Sequence, residues 1–368
     1  MLKLIFVIDS LISGGAERVM TVLANRFSEL GHDITIISKA HIPSFYRLEN
    51  GVKLVYLRTK VNYKNKVTIL FSRLKLYLNI YTYLKSEKPD FVIPFSTNTN
   101  GVTIIACKLL GLNVIASEHN NYKLNLNSFP VWFIKRIIYP QATLLTVLTE
   151  RDRDEYYSRF MHNVIVMPNP LALDPADNVN LLSREKIVLS VGELIRWDQK
   201  GFDMLLEVFA QIAPGCPGWQ LVIAGSGDPH FLTGRISELG LDGIVHLVGE
   251  VEDIQTMMRR SSIFTLSSRW EGLPMVLLEA MSQGMACIAF DCFTGPRELI
   301  TNRLDGILVE DRNINQFASG LEELIEDQDL RLKLGKNAIE TSKNYLPEKI
   351  MEKWIDLVKI NHGKAIIR

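Results

Sequence analysis

The sequence predicts an α/β protein with two doubly wound parallel-sheet domains. In each half of the chain, short apolar segments alternate with amphipathic helical segments, the order typical of parallel strands connected by helices. The polar segment DPADNVN at 174–180 separates the halves, and the alternation restarts after it. At 368 residues the chain also exceeds the roughly 250–300 residues that a single hydrophobic core serves. We therefore expect two cores.

The composition argues against a membrane-spanning or disulfide-stabilised protein. Hydrophobic residues make up 47% of the chain and the mean hydropathy is +0.09, yet no run of about 18 uncharged apolar residues occurs. Asp9 interrupts the N-terminal apolar segment, which argues against a cleaved signal peptide. The four cysteines lack paired metal-ligand spacing and are expected to be buried thiols. These observations predict a cytoplasmic protein.

The two halves of the chain carry opposite net charge. Residues 1–167 contain 21 Lys and Arg against 12 Asp and Glu, hence +9, and residues 168–368 contain 20 against 29, hence −9. Such a division indicates that the first half faces an anionic partner. No nucleic-acid recognition motif accompanies the basic half, so a nucleic acid is a poor candidate. A membrane surface or an acceptor that carries a pyrophosphate remains.

The stretch EGLPMVLLE, from Glu271 to Glu279, is the strongest candidate for a binding site. Gly272 and Pro274 suit a helix N-terminus, so Glu271 is expected in the loop and Glu279 two turns into the helix, on nearly the same face. Backbone N–H groups at a helix N-terminus, here those of Gly272 and Leu273, favour phosphates and hydroxyl-rich ligands. The alternative is an amphipathic helix whose two glutamates face solvent.

Two glycine-rich loops follow predicted strands. SGGAER follows the strand KLIFVI, and Gly14 and Gly15 can bring backbone N–H groups close to a phosphate because they lack side chains. AGSG follows the strand WQLVI, and Gly225 and Ser226 can approach a nucleotide in the same way. Plain tight turns are the alternative for both loops.

Several charged side chains also follow predicted strands. Arg196 and Lys200 lie in the loop after KIVLSVG, and His119 comes directly after NVIAS, at the edge where parallel sheets bind ligands. A lone His is otherwise more often structural. Asp152 and Asp154 have the Asp-x-Asp spacing of metal-dependent sugar transferases, but their charged neighbours suggest a solvated helix face, so we expect no metal there.

The chain resembles the family-four retaining glycosyltransferases. The resemblance is carried by four motifs, SGGAER, Lys200-Gly201, AGSG and EGLPMVLLE, which fall in the expected order of strands, loops and helices. The resemblance covers nearly the whole chain and implies the GT-B fold, in which two Rossmann-like domains face a central cleft. It also implies no metal and no other cofactor. The chain departs from the family at Glu193, where an Arg commonly follows the glycine, and Arg196 is the candidate replacement for that phosphate-binding Arg.

The resemblance assigns a role to each candidate residue. Glu279 would hold the ribose, Glu271 with Gly272, Leu273 and Pro274 the donor sugar, Lys200 and Arg196 the diphosphate, and Gly15 the β-phosphate. His119 would contact the donor sugar, and the base would lie near Val251, beside the loop of Gly225 and Ser226. The expected catalytic set is therefore Glu271, His119, Lys200 and Arg196, with Gly14 among the donor-binding residues.

The expected domains are an acceptor-binding domain at 1–167, a nucleotide-sugar-binding domain at 168–345, and a terminal helix at 346–368 that crosses back to the first domain. The resemblance implies transfer of a hexose or N-acetylhexosamine, with UDP as the expected nucleotide, to a polyprenyl-diphosphate-linked saccharide. Alternatives are a nucleotide-sugar epimerase of the same fold and a non-catalytic scaffold, for which Glu193 is the hint.

A basic stretch in the first half predicts docking on the inner face of the cell membrane. Eight basic residues accompany one acid, Glu87, between Arg58 and Lys88. Among them, Lys64, Lys66, Arg73 and Lys75, together with Arg18 of SGGAER, are the candidates for contact with acceptor or lipid. An apolar stripe at helical spacing runs along Val67, Leu70, Phe71, Leu74, Leu78 and Tyr81. The stripe is equally well explained as the buried face of a helix.

A second basic approach to the membrane or the acceptor is expected from residues 119–149. This stretch contains no Asp or Glu and carries Lys123, Lys135 and Arg136.

Overall fold

The computed structural model describes residues 1–12, 15–57, 66–123, 126–177 and 183–366, without the side chains of 66–73, 156 and 362–366. The chain divides into two compact units. The first comprises Met1–Asn169 together with Pro347–Arg368, and the second comprises Pro170–Leu346. The change of unit thus falls two residues after the boundary expected at 167.

The first unit contains a parallel sheet whose strands have the order β3-β2-β1-β4, and a smaller one with the order β5-β6-β7. Isolated parallel bridges from Val92 to Val114 and from Phe95 to Ser117 connect β4 to β5. The strands are β1 (Lys3–Ile8), β2 (Asp33–Ser38), β3 (Val52–Tyr56), β4 (Phe91–Pro94), β5 (Ile115–Ser117), β6 (Leu144–Val147) and β7 (Val164–Val166).

Helices connect these strands, as their alternation along the sequence predicts. The helices are α1 (Gly15–Glu29), α2 (Lys66–Glu87), α3 (Thr97–Leu110), α4 (Phe129–Phe133) and, at the end of the chain, α13 (Pro347–Ile366). A π-helical turn at Ile134–Ile138 continues α4, and a second one spans Asp152–Tyr156.

The terminal helix α13 belongs to the core of the first unit. Ile350, Trp354 and Val358 are buried, and they recur at a spacing of four residues, which places them on one face of the helix. They pack in one cluster with Phe27 of α1 and Phe6 of β1. The last helix is therefore held by the same hydrophobic core as the first strand of the chain.

The second unit contains one parallel sheet of six strands with the order β10-β9-β8-β11-β12-β13. Its strands are β8 (Glu185–Val191), β9 (Gln220–Ala224), β10 (Val245–Gly249), β11 (Ser261–Leu266), β12 (Ala286–Asp291) and β13 (Ile307–Glu310). Its helices are α5 (Trp197–Lys200), α6 (Phe202–Ile212), α7 (His230–Glu238), α8 (Ile254–Arg260), α9 (Met275–Ser282), α10 (Pro296–Leu299), α11 (Ile314–Glu326) and α12 (Gln328–Ser342).

The strand order reverses once in the larger sheet of each unit. In the first unit, β1 lies between β2 and β4, and in the second, β8 lies between β9 and β11. At such a reversal the two connections leave the sheet on opposite sides and open a crevice beyond the carboxyl ends of the central strands. The loops after β8 and β11 therefore flank the most favourable ligand position in the second unit.

Two expectations about buried and exposed side chains can be compared with the structure. All four cysteines are buried, as expected. On α2 the buried-face explanation of the apolar stripe is wrong for Leu74 and Leu78, which are exposed, while Ile80 and Leu84 outside the stripe are buried. Leu76 and Tyr77 pack partly against the core. Apolar residues occur on all sides of this helix, so spacing alone does not select the face that packs against the core.

Within the described ranges, no helix has both the length and the apolarity needed to cross a membrane.

Candidate functional site

The candidate site of the second unit is formed by the loops that follow β8 and β11. Backbone and side-chain hydrogen bonds join them: the amide of Arg269 donates to the carbonyl of Gln199 at 2.8 Å, and Ser267 Oγ donates to the carbonyl of Lys200 at 2.9 Å. Gln199 Nε2 also donates to the carbonyl of Trp270 at 3.3 Å. The two loops are thus fixed to each other at the point where the strand order reverses.

A buried ion pair lies at the centre of this junction. Lys200 Nζ is 2.8 Å from Glu271 Oε1, and the two side chains are only 14% and 10% exposed. Ser268 Oγ donates to the same oxygen at 2.7 Å. The lysine reaches the carboxylate across Gly192, where an added Cβ would lie 3.0 Å from Lys200 Cγ. Two residues that lie 71 positions apart therefore form one charged group beyond the sheet.

A second ion pair holds the first one in place. Arg269 donates to both carboxylate oxygens of Asp203, at 2.8 and 2.6 Å, and also to the backbone carbonyl of Asp198. The hydrogen bond with Asp203 raises the pKa of Arg269. A bidentate pair is geometrically stricter than a single contact, so it orients the loop that carries Lys200. Sequence reasoning missed Asp203, Arg269 and Ser268, although all three lie next to the motif residues.

Glu279 lies inside α9 and is buried, as is Glu271 in the preceding loop. The alternative in which both glutamates face solvent is therefore wrong. Leu273 is buried, and Pro274 occupies the position directly before α9. Because a carboxylate is rarely buried without partners, the burial of both glutamates indicates a specific polar environment.

The loop before α9 packs tightly against the turn that precedes α10. Thr294 Oγ1 donates to the carbonyl of Glu271, and a Cβ on Gly295 would lie 2.3 Å from the carbonyl oxygen of Gly272. A side chain at Gly295 would therefore displace Gly272. This packing explains the glycine at position 295 without any ligand.

The glycine loop after β9 also has a structural explanation. A Cβ on Gly225 would lie 1.9 Å from the carbonyl oxygen of Gly192, so the close approach of the two loops requires glycine. The amide of Leu194 donates to the carbonyl of Ser226 at 2.7 Å. Val251 follows β10 and is partly buried. These contacts place Gly225 and Ser226 beside the loop that leads to Lys200, and their role in nucleotide binding remains a prediction.

Arg196 and Glu193 both lie on the exposed surface of the loop after β8. Glu193 directly precedes a 3-10 turn that ends at Arg196, and the amide of Arg196 donates to the carbonyl of Glu193 at 3.0 Å. The Arg196 guanidinium donates to Gln199 Oε1 through Nε at 2.8 Å. The side chain is thus directed toward the loop that holds Lys200, and no ion pair joins it to Glu193.

In the first unit, His119 is held in a polar and aromatic environment. Its ring stacks on Phe95 with centroids 4.6 Å apart, and Nε2 lies 3.0 Å from Ser117 Oγ. Nδ1 is buried without a hydrogen bond. Burial lowers the pKa of His119 to about 4, against the opposing effect of the nearby Glu118 carboxylate. The imidazole is therefore neutral at pH 7, and its contact with a donor sugar remains a prediction.

The loop around His119 is fixed by buried charged residues. Glu118 is 1% exposed and accepts hydrogen bonds from Tyr139 Oη at 2.6 Å and Thr97 Oγ1 at 2.7 Å. Lys135, expected at the surface as part of a basic approach, is buried and donates to the carbonyls of Asn121 and Tyr122. Burial lowers the pKa of Lys135. The expected surface role of Lys135 is therefore wrong.

Asp152 also differs from the expectation of a solvated helix face. It is 2% exposed, accepts from the amide of Tyr122 and from Thr149 Oγ1, both at 2.9 Å, and burial raises its pKa to about 6. Asp154 is exposed and pairs with Arg153. The charged neighbours of Asp152 in the sequence suggest a solvated turn. In the structure, Asp152 instead binds the amide of Tyr122 in the loop after His119.

The pH dependence of stability should reveal the lowered pKa of His119. Because its folded pKa of about 4 lies below the ordinary value near 6.5, the unfolded chain binds the extra proton first as the pH falls. Relative to His119→Phe, the wild type should lose roughly 2–3 kcal/mol of unfolding free energy between pH 6.5 and 4. Urea unfolding of both proteins at several pH values measures this difference. Asp152 is present in both proteins, so its own contribution to the pH dependence cancels in the difference. Parallel plots of unfolding free energy against pH for the two proteins would contradict the prediction.

The remaining predicted residues are placed only in part. Gly14 and Lys64 lie outside the described residues, and of Lys66 and Arg73 only the α2 backbone is described. Gly15 begins α1, and the Arg18 guanidinium lies 6.0 Å from the ring of Tyr46. Lys75 is exposed on α2. In the part of the chain that the structure describes, no three His, Cys, Asp or Glu residues are grouped as a metal site requires.

Comparison with known proteins identifies the chain. The family described as "Glycosyltransferase Family 4" matches residues 13–174, and "Glycosyl transferases group 1" matches residues 176–341. One relative is the Campylobacter jejuni "GalNAc-alpha-(1->4)-GalNAc-alpha-(1->3)-diNAcBac-PP-undecaprenol alpha-1,4-N-acetyl-D-galactosaminyltransferase", which is 31% identical over 97% of this chain and 98% of its own length. The chain belongs to the family-four glycosyltransferases.

A second relative is the Escherichia coli "UDP-Gal:alpha-D-GlcNAc-diphosphoundecaprenol alpha-1,3-galactosyltransferase", 27% identical over 89% of each chain. Among solved structures, sucrose-phosphate synthase from Thermosynechococcus elongatus superposes with a TM-score of 0.85 at 17% identity, covering 98% of this chain and 100% of that one. The predicted GT-B fold is thereby confirmed, as is the membership in a family of glycosyltransferases.

Proposed function

We propose that this protein is a retaining, metal-independent glycosyltransferase that moves a hexose or N-acetylhexosamine from a UDP-sugar to a polyprenyl-diphosphate-linked saccharide. The observation that carries the proposal is the buried Lys200–Glu271 pair at the strand-order reversal of the second sheet. This is the place where doubly wound sheets bind nucleotides. The nucleotide and the acceptor are inferred from relatives, whose names contain UDP-Gal and undecaprenol linked through a diphosphate.

The geometry of Lys200 suits a diphosphate. An ammonium group has three N–H donors, of which Glu271 accepts one at 2.8 Å. The others can bind oxygens of the leaving phosphate while Glu271 keeps the ammonium oriented. Fixed positive charge at the leaving group stabilises the negative charge that develops as the glycosidic bond to the diphosphate breaks. Lys200, with Arg196 beside it, would thus serve the purpose that a metal ion serves in other sugar transferases.

The proposed reaction needs no protein nucleophile. The bond from the anomeric carbon to the diphosphate oxygen breaks, the acceptor oxygen forms the new bond on the same face, and the departing phosphate oxygen takes the acceptor proton. Glu271 would bind hydroxyl groups of the donor sugar, and Glu279 those of the ribose. His119, neutral at pH 7, would contribute a hydrogen bond to the sugar rather than a charge.

The proposal is tested by incubating the protein with UDP-sugars, undecaprenyl-diphosphate saccharides and a metal chelator. The expected product is a longer lipid-linked saccharide with an α-configured new linkage, identified by mass spectrometry and NMR. A β linkage would exclude retention from an α-linked donor, and loss of activity on chelation would exclude metal independence. A nucleotide-sugar epimerase would convert the donor without any acceptor. A non-catalytic scaffold would form neither product.

The role of Arg196 is tested by comparing nucleotides. Replacing Arg196 with alanine should weaken binding of UDP by about tenfold, and binding of UMP much less, because only UDP has the β-phosphate and a charge-assisted contact is worth roughly 1.5–3 kcal/mol. Isothermal titration measures both. Arg260→Ala is the matched control, since Arg260 is also exposed but pairs with Glu185 at the opposite end of β8. Equal losses for UDP and UMP would show that Arg196 does not bind the β-phosphate.

Membrane association is a separate part of the proposal. Lys75 is exposed on α2, and each basic residue near an anionic leaflet contributes about 1 kcal/mol of attraction. The basic net charge of the first half supports docking on the inner face of the cell membrane, with Lys64, Lys66, Arg73 and Arg18 as the remaining candidate contacts.

A further inference from the structure

The first unit exposes large apolar side chains on two neighbouring helices. Phe129 is 71% exposed and Leu109 is 66% exposed, while the other four members are between 39% and 45% exposed. We call this group the aromatic surface: Phe129, Trp132, Phe133 and Ile137 of α4 and its π-helical continuation, with Ile105 and Leu109 of α3. Exposed apolar groups of this size in a folded protein mark an interaction site.

The members of the aromatic surface are neighbours. The ring centroid of Phe129 lies 6.0 Å from that of Trp132 and 6.1 Å from that of Phe133. On α3, the position of Gly101 packs against Ile134, and Lys108 donates to Gln141. Residues three or four positions apart lie on one side of a helix, so Ile105 and Leu109 lie on the side of α3 that borders the α4 segment. The exposed groups thus form one surface rather than scattered residues.

Within the sequence span that carries the aromatic surface, the exposed charges are of one sign. Between residues 91 and 149 the sequence contains a single acid, Glu118, which is 1% exposed and hydrogen-bonded to Tyr139. Lys108, Lys123 and Arg136 are exposed in the same span. An apolar surface whose own segments carry exposed basic residues and no exposed acid is complementary to anionic headgroups above an acyl-chain boundary.

We propose that the aromatic surface inserts into the headgroup region of an anionic bilayer and anchors the protein there. Trp favours the boundary between water and lipid, and Phe occurs with Trp on the inserted apolar face of helices that lie at that boundary. The inference deepens the proposed function, since it names the surface that would bring the enzyme to its lipid-linked acceptor. It differs from the expectation based on α2, in which basic residues carry most of the attraction.

The first test measures binding to vesicles that contain neither donor nor acceptor. Wild-type protein should float with phosphatidylglycerol vesicles and much less with phosphatidylcholine vesicles. The triple variant Phe129→Ser, Trp132→Ser and Phe133→Ser should partition at least tenfold less. The control Phe45→Ser with Leu304→Ser removes two side chains that are 68% and 51% exposed elsewhere, and it should bind as the wild type does. Unchanged binding of the triple variant would overturn the proposal.

The second test distinguishes insertion from electrostatic adsorption. Lipids brominated on their acyl chains should quench the tryptophan fluorescence of the bound protein, and Trp132→Phe should bind normally but lose most of the quenching. Trp219 and Trp354 are buried and should not contribute. Equal quenching in wild type and Trp132→Phe would show that Trp132 does not enter the lipid.

Three controls separate this proposal from other outcomes. Circular dichroism and the unfolding midpoint of the triple variant should match the wild type, which shows that lost binding is not lost folding. Sedimentation equilibrium should give a monomer, because a dimer that the triple variant abolishes would mean that a second copy covers the surface. Transfer to a water-soluble acceptor analogue should be unchanged in the triple variant. Vesicle binding without any transfer would reject the proposed function alone, and transfer without vesicle binding would reject the aromatic surface alone.

Discussion

Replacing Lys200 or Glu271 with alanine is expected to lower the rate of sugar transfer by tenfold to a hundredfold while the chain remains folded. Each side chain is at most 14% exposed, and each replacement leaves its partner without the 2.8 Å contact. A charge-assisted contact is worth roughly 1.5–3 kcal/mol, which corresponds to that range of rates. Glu279→Ala should have an effect of the same size if Glu279 holds the ribose.

The pair should also behave as one unit. The double variant Lys200→Ala with Glu271→Ala should lose less activity than the product of the two single losses, because each single variant already removes the interaction. Arg303 and Glu323 form the matched control, an ion pair of 2.7 Å whose side chains are 60% and 37% exposed. Alanine variants of that pair should retain full activity. Near-normal transfer rates in the Lys200, Glu271 and Glu279 variants would show that these residues do not bind the donor.

Replacing Gly201 with alanine is expected to reduce both stability and activity. Gly201 ends α5 with φ of 64°, and a Cβ there would lie 2.0 Å from the carbonyl oxygen of Ser267. The left-handed conformation costs roughly 1–2 kcal/mol for a residue with a side chain, and the steric conflict adds about 1–3 kcal/mol. Because Gly201 directly follows Lys200, and Ser267 lies four residues before Glu271, we expect relief of the conflict to disturb the Lys200–Glu271 contact. Transfer should fall at least tenfold.

Gly111 is the control for the conformational cost alone. It ends α3 with φ of 66°, and a Cβ there would meet nothing within 4 Å. Gly111→Ala should therefore show the loss from the left-handed conformation without the steric loss, and it should keep its activity. Urea unfolding and transfer assays of both variants separate the two costs. Equal destabilisation of both variants would mean that the loop after β11 moves to accommodate the added Cβ at little cost. Gly201 would then not be needed to keep the site rigid.

The close packing of the candidate site explains why these substitutions should be costly. Arg269 and Asp203 hold the loop of Lys200 against the loop of Glu271 through two hydrogen bonds of 2.8 and 2.6 Å. Gly192, which precedes the loop, leaves room for the aliphatic part of Lys200. Catalytic groups act best when they are oriented before the substrate binds, and these contacts provide that orientation in the protein alone.

Much of the fold was predictable because it depends on local patterns. Short apolar strands alternate with helices throughout, and strands buried on both faces appear as continuous apolar segments such as KLIFVI. The start of α9 at Met275 follows from Pro274, which fits the position before a helix. In contrast, the inner face of α2 was not predictable, because apolar residues occupy all sides of that helix and packing against α3 decides which of them are buried.

The sequence by itself determined which residue types lie beyond the strands: Lys200 after β8, Glu271 after β11 and His119 after β5. Only the tertiary structure decided how they are paired, since the Lys200–Glu271 contact spans 71 positions and depends on the order of strands in the sheet. The same holds for Lys135 and Asp152, which look solvated in the sequence and are buried in the structure. Charge is a property of the residue, but whether that charge meets water or a partner is a property of the packing around it.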